Sequence, residues 1–259
     1  MADQEQYKGL DVGGKKMDWV DMHHDRKYRP QRTAFHVASA FDMVESIKFL
    51  SEEAGTIFSK LPLASKAKQF SFFDVLAVDS SGSTSLHWAV YNANVKAVQA
   101  LLKLENAKLL NAQDNNGVTP LHIAASSKDL QECLKALLEA GADMDMRDKL
   151  SQWTPLHVAC AGTENESTVA ILLEKSSKKQ ANAASSKLKQ TPLHIASYFG
   201  HEKIVKLLLE SGKCDISFRD ACGVSLLFIQ FLPLKMFITK KIHRTLHFTT
   251  PSNSPRRHV

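Results

Sequence analysis

The hexapeptide TPLHIA occurs at residues 119–124 and again at residues 191–196. Related copies are TAFHVA at 33–38, TSLHWA at 84–89 and TPLHVA at 154–159, and SLLFIQ at 225–230 is a degenerate sixth copy. Aligned on the leading Thr or Ser, successive copies lie 51, 35, 35, 37 and 34 residues apart. A catalytic motif is normally needed once, whereas a structural unit recurs. The near-constant period therefore predicts an array of similar repeats, with one insertion between the first two.

Each copy of the motif predicts the start of an α-helix. The leading Thr is suited to the N-cap, because its hydroxyl can accept a hydrogen bond from an amide of the first turn. Pro follows at the first helical position in three copies, where a missing N–H costs nothing. The Leu and Ala of the motif begin an apolar face, and the small Ala lets a neighbouring helix approach closely. The motif residues singled out are Thr119, Pro120, His122, Thr154, Pro155, His157, Thr191, Pro192 and His194.

A second apolar segment follows the motif, at 95–104, 130–141, 167–175 and 202–212. Apolar residues recur there at spacings of three and four, which indicates a helix with one buried face. Gly141 and Gly212 stand where two of these helices should end, and we expect Leu137 and Leu207 to lie in the core. Turn-forming residues precede the next motif at 79–83, 114–118 and 220–224.

Each repeat thus consists of a turn, a helix, a turn, a helix and a loop, and neighbouring repeats must stack to bury their apolar faces. The Thr-Pro-Leu-His-x-Ala signature and the period resemble those of the ankyrin repeat. The resemblance covers residues 28–230. It implies an all-α ankyrin-repeat solenoid of helix-turn-helix units with β-turn or hairpin fingers, comprising five repeats plus a partial sixth. It also implies protein partners, bound through the finger turns and the concave face of the first helices.

Histidine recurs at one position of five motif copies, as His36, His87, His122, His157 and His194. Packed helices lie about 8–10 Å apart, whereas each zinc ligand must come within about 2.0–2.1 Å of the ion. Equivalent histidines of successive repeats therefore cannot share a metal, and we expect a hydrogen-bond ladder to Thr hydroxyls and turn backbone. The sequence has no G-x-S-x-G, Walker or H-E-x-x-H motif. We predict no enzymatic activity, no metal and no cofactor.

Tryptophan and tyrosine side chains supply the expected partner contacts, because these residue types dominate binding hot spots. Trp153 stands on a finger with one extra residue between Asp148 and Thr154. It is either an interface anchor or a ring folded back against its own repeat, whereas Trp88 is expected in the core. The other predicted contacts, on fingers or at first-helix ends, are Tyr91, Lys128, Arg147, Lys149, Tyr198 and His201.

Composition places limits on the compartment and the partner. The 259 residues carry a net charge of +6 and four cysteines without a C-x-x-C pair. The N-terminus lacks an apolar signal region, so we expect a cytoplasmic protein, with the nucleus as the alternative, and reduced, buried thiols at Cys133 and Cys160. No motif of a nucleic-acid-binding module accompanies the basic excess, and no nucleic acid is expected as a partner.

Three segments depart from the repeat pattern. They are a polar N-terminal segment at 1–27, an insertion at 56–74 and an apolar and basic tail at 231–259. The insertion is expected to be a packed loop, with a partner-binding motif as the alternative. The apolar run at 226–238 has three readings: an array cut off mid-repeat, as in a fragment or isoform, a strained cap, or an interfacial membrane contact. The first reading supports an alternative function as the targeting segment of a larger signalling enzyme or membrane channel.

Overall fold

The computed structural model describes residues 8–10, 16–18, 32–54, 74–104, 107–162, 165–185 and 188–223. The chain divides into two compact units, residues 1–150 and residues 151–259. Repeats one to three lie in the first unit, and repeats four and five lie in the second. Their N-cap residues, in order, are Thr33, Thr84, Thr119, Thr154 and Thr191.

The helices of the first unit occur in pairs that follow the motif copies. Its α-helices are α1 (Ala34–Ala40), α2 (Val44–Phe49), α3 (Ser85–Tyr91), α4 (Val95–Leu102), α5 (Ala107–Leu110), α6 (Pro120–Ala125) and α7 (Gln131–Glu139) within the described residues. A π-helical turn, Leu50–Ala54, continues α2, and a 3-10 turn, Lys128–Leu130, leads into α7. The first helices α1, α3 and α6 pack side by side, and the second helices α2, α4 and α7 pack side by side behind them.

The second unit has the same pairing. Its described α-helices are α8 (Pro155–Ala161), α9 (Glu166–Lys175), α10 (Lys178–Ala181), α11 (Pro192–Tyr198) and α12 (Glu202–Glu210). The first helices α8 and α11 contact each other, as do the second helices α9 and α12. The second helix of repeat five stops where the sequence predicts, because Gly212 adopts a φ of +67° two residues after Glu210.

The core repeats one set of positions in both layers. On the first helices, an alanine five residues after the N-cap is buried in every repeat. These residues are Ala38, Ala89, Ala124, Ala159 and Ala196. On the second helices of repeats two to five, one recurring position is a fully buried leucine, at Leu101, Leu137, Leu172 and Leu208. Stacking one repeat on the next therefore extends a single kind of interior, as a repeat architecture requires.

The prediction for Leu207 was wrong. Leu207 is only half-buried, whereas its neighbours Leu208 and Leu209 are buried. The run LLLE offers three adjacent leucines, and the helical period places only two of them on the inner face. The position equivalent to Leu137 is Leu208, and Leu207 corresponds to the half-buried Ala136 at the edge of the apolar stripe.

A short antiparallel pair of strands lies within the N-terminal segment 1–27. Strand β1 (Lys8–Leu10) pairs with β2 (Lys16–Asp18), with Lys8 opposite Asp18 and Leu10 opposite Lys16. Three-residue strands carry no alternation long enough to be recognised, so the sequence predicts only a polar segment there.

Candidate functional site

The five described helix starts share one hydrogen-bond network. In each, the backbone N–H of the N-cap Thr donates to Nδ1 of the motif histidine over 3.0–3.3 Å. The Thr hydroxyl lies 2.8–2.9 Å from the same nitrogen. The hydroxyl of Thr119 also accepts a hydrogen bond from the amide of His122 at 3.4 Å. All five starts form a capping box, in which the Thr side chain faces the backbone of the histidine and the histidine ring faces the backbone of the Thr.

The other ring nitrogen joins one repeat to the next. The Nε2–O distances are 2.9 Å for His36 and Ser83, 3.0 Å for His87 and Val118, and 3.1 Å for His157 and Gln190. A backbone N–H can only donate, so the Nδ1 that receives it carries no proton and the ring is the neutral Nε2–H tautomer. In His36, His87 and His157, Nε2–H therefore donates to the carbonyl that precedes the next N-cap Thr.

This network is structural and keeps the rings uncharged. Burial lowers the pKa of His36 and of His87, and the accepting carbonyls oppose that shift only in part. Both rings are almost wholly excluded from solvent. Within the described ranges, no group of three or more His, Cys, Asp or Glu side chains is placed to hold a metal ion.

The fingers pair backbone to backbone in the first unit. Asn115 N–H donates to Ser81 O at 2.9 Å, and Lys149 N–H donates to Asn116 O at 2.8 Å. Gly117 has a φ of +78°, and a Cβ added there would lie 2.8 Å from the backbone nitrogen of Lys149. Glycine is therefore required at this position both by its left-handed conformation and by the neighbouring finger.

The two predicted finger contacts, Arg147 and Lys149, differ in exposure. Lys149 is exposed, and its Nζ donates to Asn115 O at 3.3 Å. Arg147 is half-buried, and its carbonyl accepts a hydrogen bond from Gln113 Nε2 at 2.9 Å. The side chain of Lys149 is thus the more available of the two.

The ends of the first helices present aromatic side chains to solvent. Tyr91 and Tyr198 each stand seven residues after the N-cap Thr, and they are 44% and 70% exposed. Lys128 is exposed at the start of the 3-10 turn. His201 differs from these predicted contacts, because it is half-buried with Nε2 3.1 Å from Ala161 O. The ring of His201 therefore ties repeat five to repeat four.

The two tryptophans within the described residues lie at partly covered surface positions. Trp153 is half-buried, and its indole stacks on His157 of its own repeat with ring centroids 6.3 Å apart. The expectation that Trp88 lies in the core was wrong, because it too is only half-buried. Its ring is covered by the Arg32 guanidinium, whose Cζ is 3.9 Å from the ring centroid. Among the corresponding residues of other first helices, Val37 is exposed and Ile123 and Val158 are half-buried, whereas Ile195 is buried.

Several exposed residues were not predicted from the sequence. The large apolar side chains among them include Phe41, Leu150, Leu188 and Phe199. Phe199 directly follows Tyr198, and their rings meet edge to face with centroids 5.3 Å apart. A large apolar residue at the C-cap of a short helix is a usable signal, since that position lies beyond the helical apolar stripe. The stacking of Arg32 on Trp88 has no such signal, because 56 residues separate them.

Cys133 and Cys160 are buried as expected. Burial raises the pKa of the Cys133 thiol to about 11, and it also raises the pKa of the Cys160 thiol well above its usual value. In the part of the chain that the structure describes, no helix combines the length and apolar character needed to cross a membrane.

Other predictions fall outside the described residues. They are those for the insertion at 56–74 apart from Asp74, for the partial sixth repeat from 225 with its apolar run at 226–238, and for the tail at 231–259.

Recurring helix pairs, joined by a buried histidine ladder and by paired fingers, define a repeat protein. A family model described as ankyrin repeats, in three copies, matches residues 61–148 and 125–220, which together exceed half of the chain. The chain belongs to the ankyrin repeat family, and the predicted all-α ankyrin-repeat fold is confirmed. No curated protein matches the chain with significant similarity.

Ankyrin repeats are generally protein–protein interaction modules and are typically non-catalytic. The described surface is consistent with that role. The motif histidines are buried and form hydrogen bonds within the protein, whereas aromatic and basic side chains are accessible at the helix ends and fingers. The family therefore implies protein partners for this chain.

Proposed function

We propose that the protein is a non-enzymatic adaptor that binds protein partners through its finger turns and the exposed ends of its first helices. The observation that carries the proposal is a contrast within the first helices α3 and α11. The Thr and His of the motif are buried and hydrogen-bonded, whereas Tyr91 and Tyr198, at one equivalent position, are exposed. Nothing in the helix-start network requires a tyrosine there.

The rigidity of the surrounding helix favours binding. Tyr91 and Tyr198 are the last residues of α3 and α11, whose starts are fixed by the histidine ladder. A tyrosine held on a rigid element loses little conformational entropy when a partner covers it. It also offers both an apolar ring and a hydroxyl. Lys128 and Lys149 add accessible positive charge at neighbouring places in the first unit.

Trp153 is a weaker choice of anchor than its residue type suggests. Its indole already stacks on His157, so part of its area is covered without any partner. Replacing it would disturb the ladder as well as the surface. The two tyrosines are therefore the cleaner test of the proposed surface.

The cytoplasm is the compartment that we propose, and the buried thiols of Cys133 and Cys160 support it. A thiol whose pKa is raised by burial stays protonated and inert, which suits a reducing environment.

Affinity capture from cell lysate tests the proposal, with the full chain as bait. The test bait carries Tyr91→Ala and Tyr198→Ala, one change in each compact unit. The control bait carries Lys96→Ala and Lys203→Ala, which alter exposed residues of the second helices in the same two units. We expect a partner that is retained by the unmodified and control baits and lost from the tyrosine bait. Equal capture by all three, with unchanged melting curves, would reject the proposed surface.

A further inference from the structure

A cluster of four side chains lies on the first-helix surface of the first unit. The guanidinium of Arg32 lies over the indole of Trp88, with Cζ 3.9 Å from the ring centroid. Trp88 donates its Nε1–H to Asp79 at 3.0 Å, and Tyr91 meets the same indole edge-on with centroids 6.2 Å apart. Three elements thus converge here: the residue before the first N-cap, the first described finger and helix α3.

Asp79 does not act as the hydrogen-bonded counter-ion of Arg32. One carboxylate oxygen of Asp79 accepts from Ser81 N and Ser83 N, each at 2.9 Å, and from Ser81 Oγ at 2.6 Å. The other oxygen accepts from the indole of Trp88. Burial opposes ionisation of Asp79, but these hydrogen bonds outweigh it and lower the pKa of the carboxyl group. The hydrogen-bonding capacity of Asp79 is therefore committed to the finger and to Trp88, while its charge acts on Arg32 through space and partly opposes the lowering of the Arg32 pKa by burial.

Among the described residues, the guanidinium of Arg32 keeps one donor unsatisfied. Within the described residues, the Nε atom of Arg32 is buried and has no hydrogen-bond partner, and no ion pair reaches the group. A half-buried guanidinium with unused donors gains more from an incoming acceptor than a fully hydrated one does. Stacking on Trp88 fixes its plane and leaves its edge as the direction of approach.

We propose that the Arg32–Trp88 cluster binds an Asp or Glu side chain of a partner protein, with an adjacent apolar residue of that partner against the exposed ring of Tyr91. This inference rests on the proposed function and names the chemistry of one contact. A carboxylate matches the planar donor edge of a guanidinium in a two-point hydrogen bond. The 44% exposure of Tyr91 leaves an apolar area beside it.

The single negative charge of a carboxylate fits better than a phosphate. Phosphate-binding sites usually gather several arginines, whereas Arg32 is the one cation described in this cluster. Asp79 stays ionised nearby, and it repels a doubly charged phosphate more than a carboxylate.

A library of random 12-residue peptides displayed on phage, panned against the full chain, tests this inference. We expect the enriched peptides to share an Asp or Glu next to an apolar residue. In the best peptide, changing that acid to its amide should weaken binding at least about tenfold, as should Arg32→Gln in the protein. Combining both changes should add little to either one. Arg32→Lys, which keeps the charge but loses the planar fork, should recover only part of the affinity.

The matched control is Lys48→Gln, which removes an exposed charge of the same unit that is paired with Glu45. It should leave peptide affinity unchanged, and all variants should melt as the parent does. No enrichment, enrichment of peptides without acids, or acidic peptides indifferent to Arg32→Gln would each overturn the inference. Tighter binding of the phosphoserine version of the best peptide than of its glutamate version would overturn it too. Tyrosine-dependent capture from lysate would persist in those cases, so the proposed function is judged separately.

Discussion

The start of each first helix and the middle of each second helix are both buried, yet different physical interactions stabilise them. At the helix start, a histidine must place two ring nitrogens against two specified backbone atoms. In the middle of the second helix, the buried positions mainly need side-chain volume that fills the interior. One buried position there is occupied by Ala97, Cys133, Thr168 and Ile204 in successive repeats. Where a hydrogen bond needs particular atoms, the same residue recurs in every repeat. Where only packing is needed, the residue changes and only the pattern of burial recurs.

Deleting volume from a second helix should have the largest effect. We expect Leu208→Ala to lower the free energy of unfolding by about 2–5 kcal/mol, because Leu208 is fully buried. Leu207→Ala is the matched control on the same helix and should cost clearly less, since Leu207 is half-buried. Urea denaturation of both variants measures the difference. Equal losses would mean that the packing of α12 is not as described.

Removing a histidine from the ladder should have the next largest effect. His87→Ala leaves the amide of Thr84 and the carbonyl of Val118 without their partner, and each unsatisfied buried group costs about 1–3 kcal/mol. His87→Gln should lose less stability than His87→Ala. Gln180 shows that a glutamine side chain can accept a hydrogen bond from the N-cap amide, there from Ser177 at 2.8 Å. Its shorter side chain should not reach Val118. Denaturation midpoints that rank glutamine with alanine would refute this division of roles.

Replacing two glycines that share a left-handed backbone should separate the cost of that conformation from the cost of a steric clash with a neighbouring finger. Gly200→Ala should cost about 1–2 kcal/mol, because its φ is +73° and a Cβ there meets nothing within 4 Å. Gly117→Ala has a similar φ but also places a Cβ against the backbone of Lys149, so it should be the more destabilising of the two. Thermal melting compares them directly. A smaller loss for Gly117→Ala would show that the fingers separate easily.

The smallest effect expected is a dependence of stability on pH. His36 and His87 have pKa values lowered in the folded state, chiefly by burial, from about 6.5 in the unfolded chain. The unfolded state therefore binds more protons, and stability is complete above about pH 6.5 and declines as the pH falls below it. Asp79 titrates well below this window, since its pKa is also lowered. Urea midpoints between pH 7.5 and 5 should fall for the parent and fall less for His87→Gln.

The same contrast explains what the sequence could predict. The helix starts were recognisable because Thr33, Thr84 and their counterparts recur with the same partner three residues later. The second helices were predicted as helices, but the face of Leu207 was not, because adjacent leucines satisfy more than one register. Equivalent exposed positions, such as Tyr91 and Tyr198, follow from the repeat alignment once the helix ends are known.

The Arg32–Trp88 cluster could not be predicted from the repeat alignment. Arg32 and Trp88 meet across the insertion, and their contact depends on how helix α1 lies against helix α3. Trp88 occupies a motif position held by Ile123 and Val158 in other repeats, which suggested a core residue. Only the packed structure shows that Trp88 is half-buried, although Ile195 at the same motif position is buried, and that a charged side chain covers its ring.

The histidine ladder has a direction. His36 donates to the carbonyl of Ser83 and His87 to that of Val118, so each ring depends on the repeat that follows it in the chain. During synthesis on the ribosome, a repeat cannot complete its own helix start until the next one has emerged. Loss of a following repeat leaves the histidine N–H donor without its acceptor. Loss of a preceding repeat leaves only a carbonyl without its donor, and an unpaired carbonyl is the better tolerated of the two. Unravelling of the array is therefore transmitted towards the N-terminus more readily than away from it.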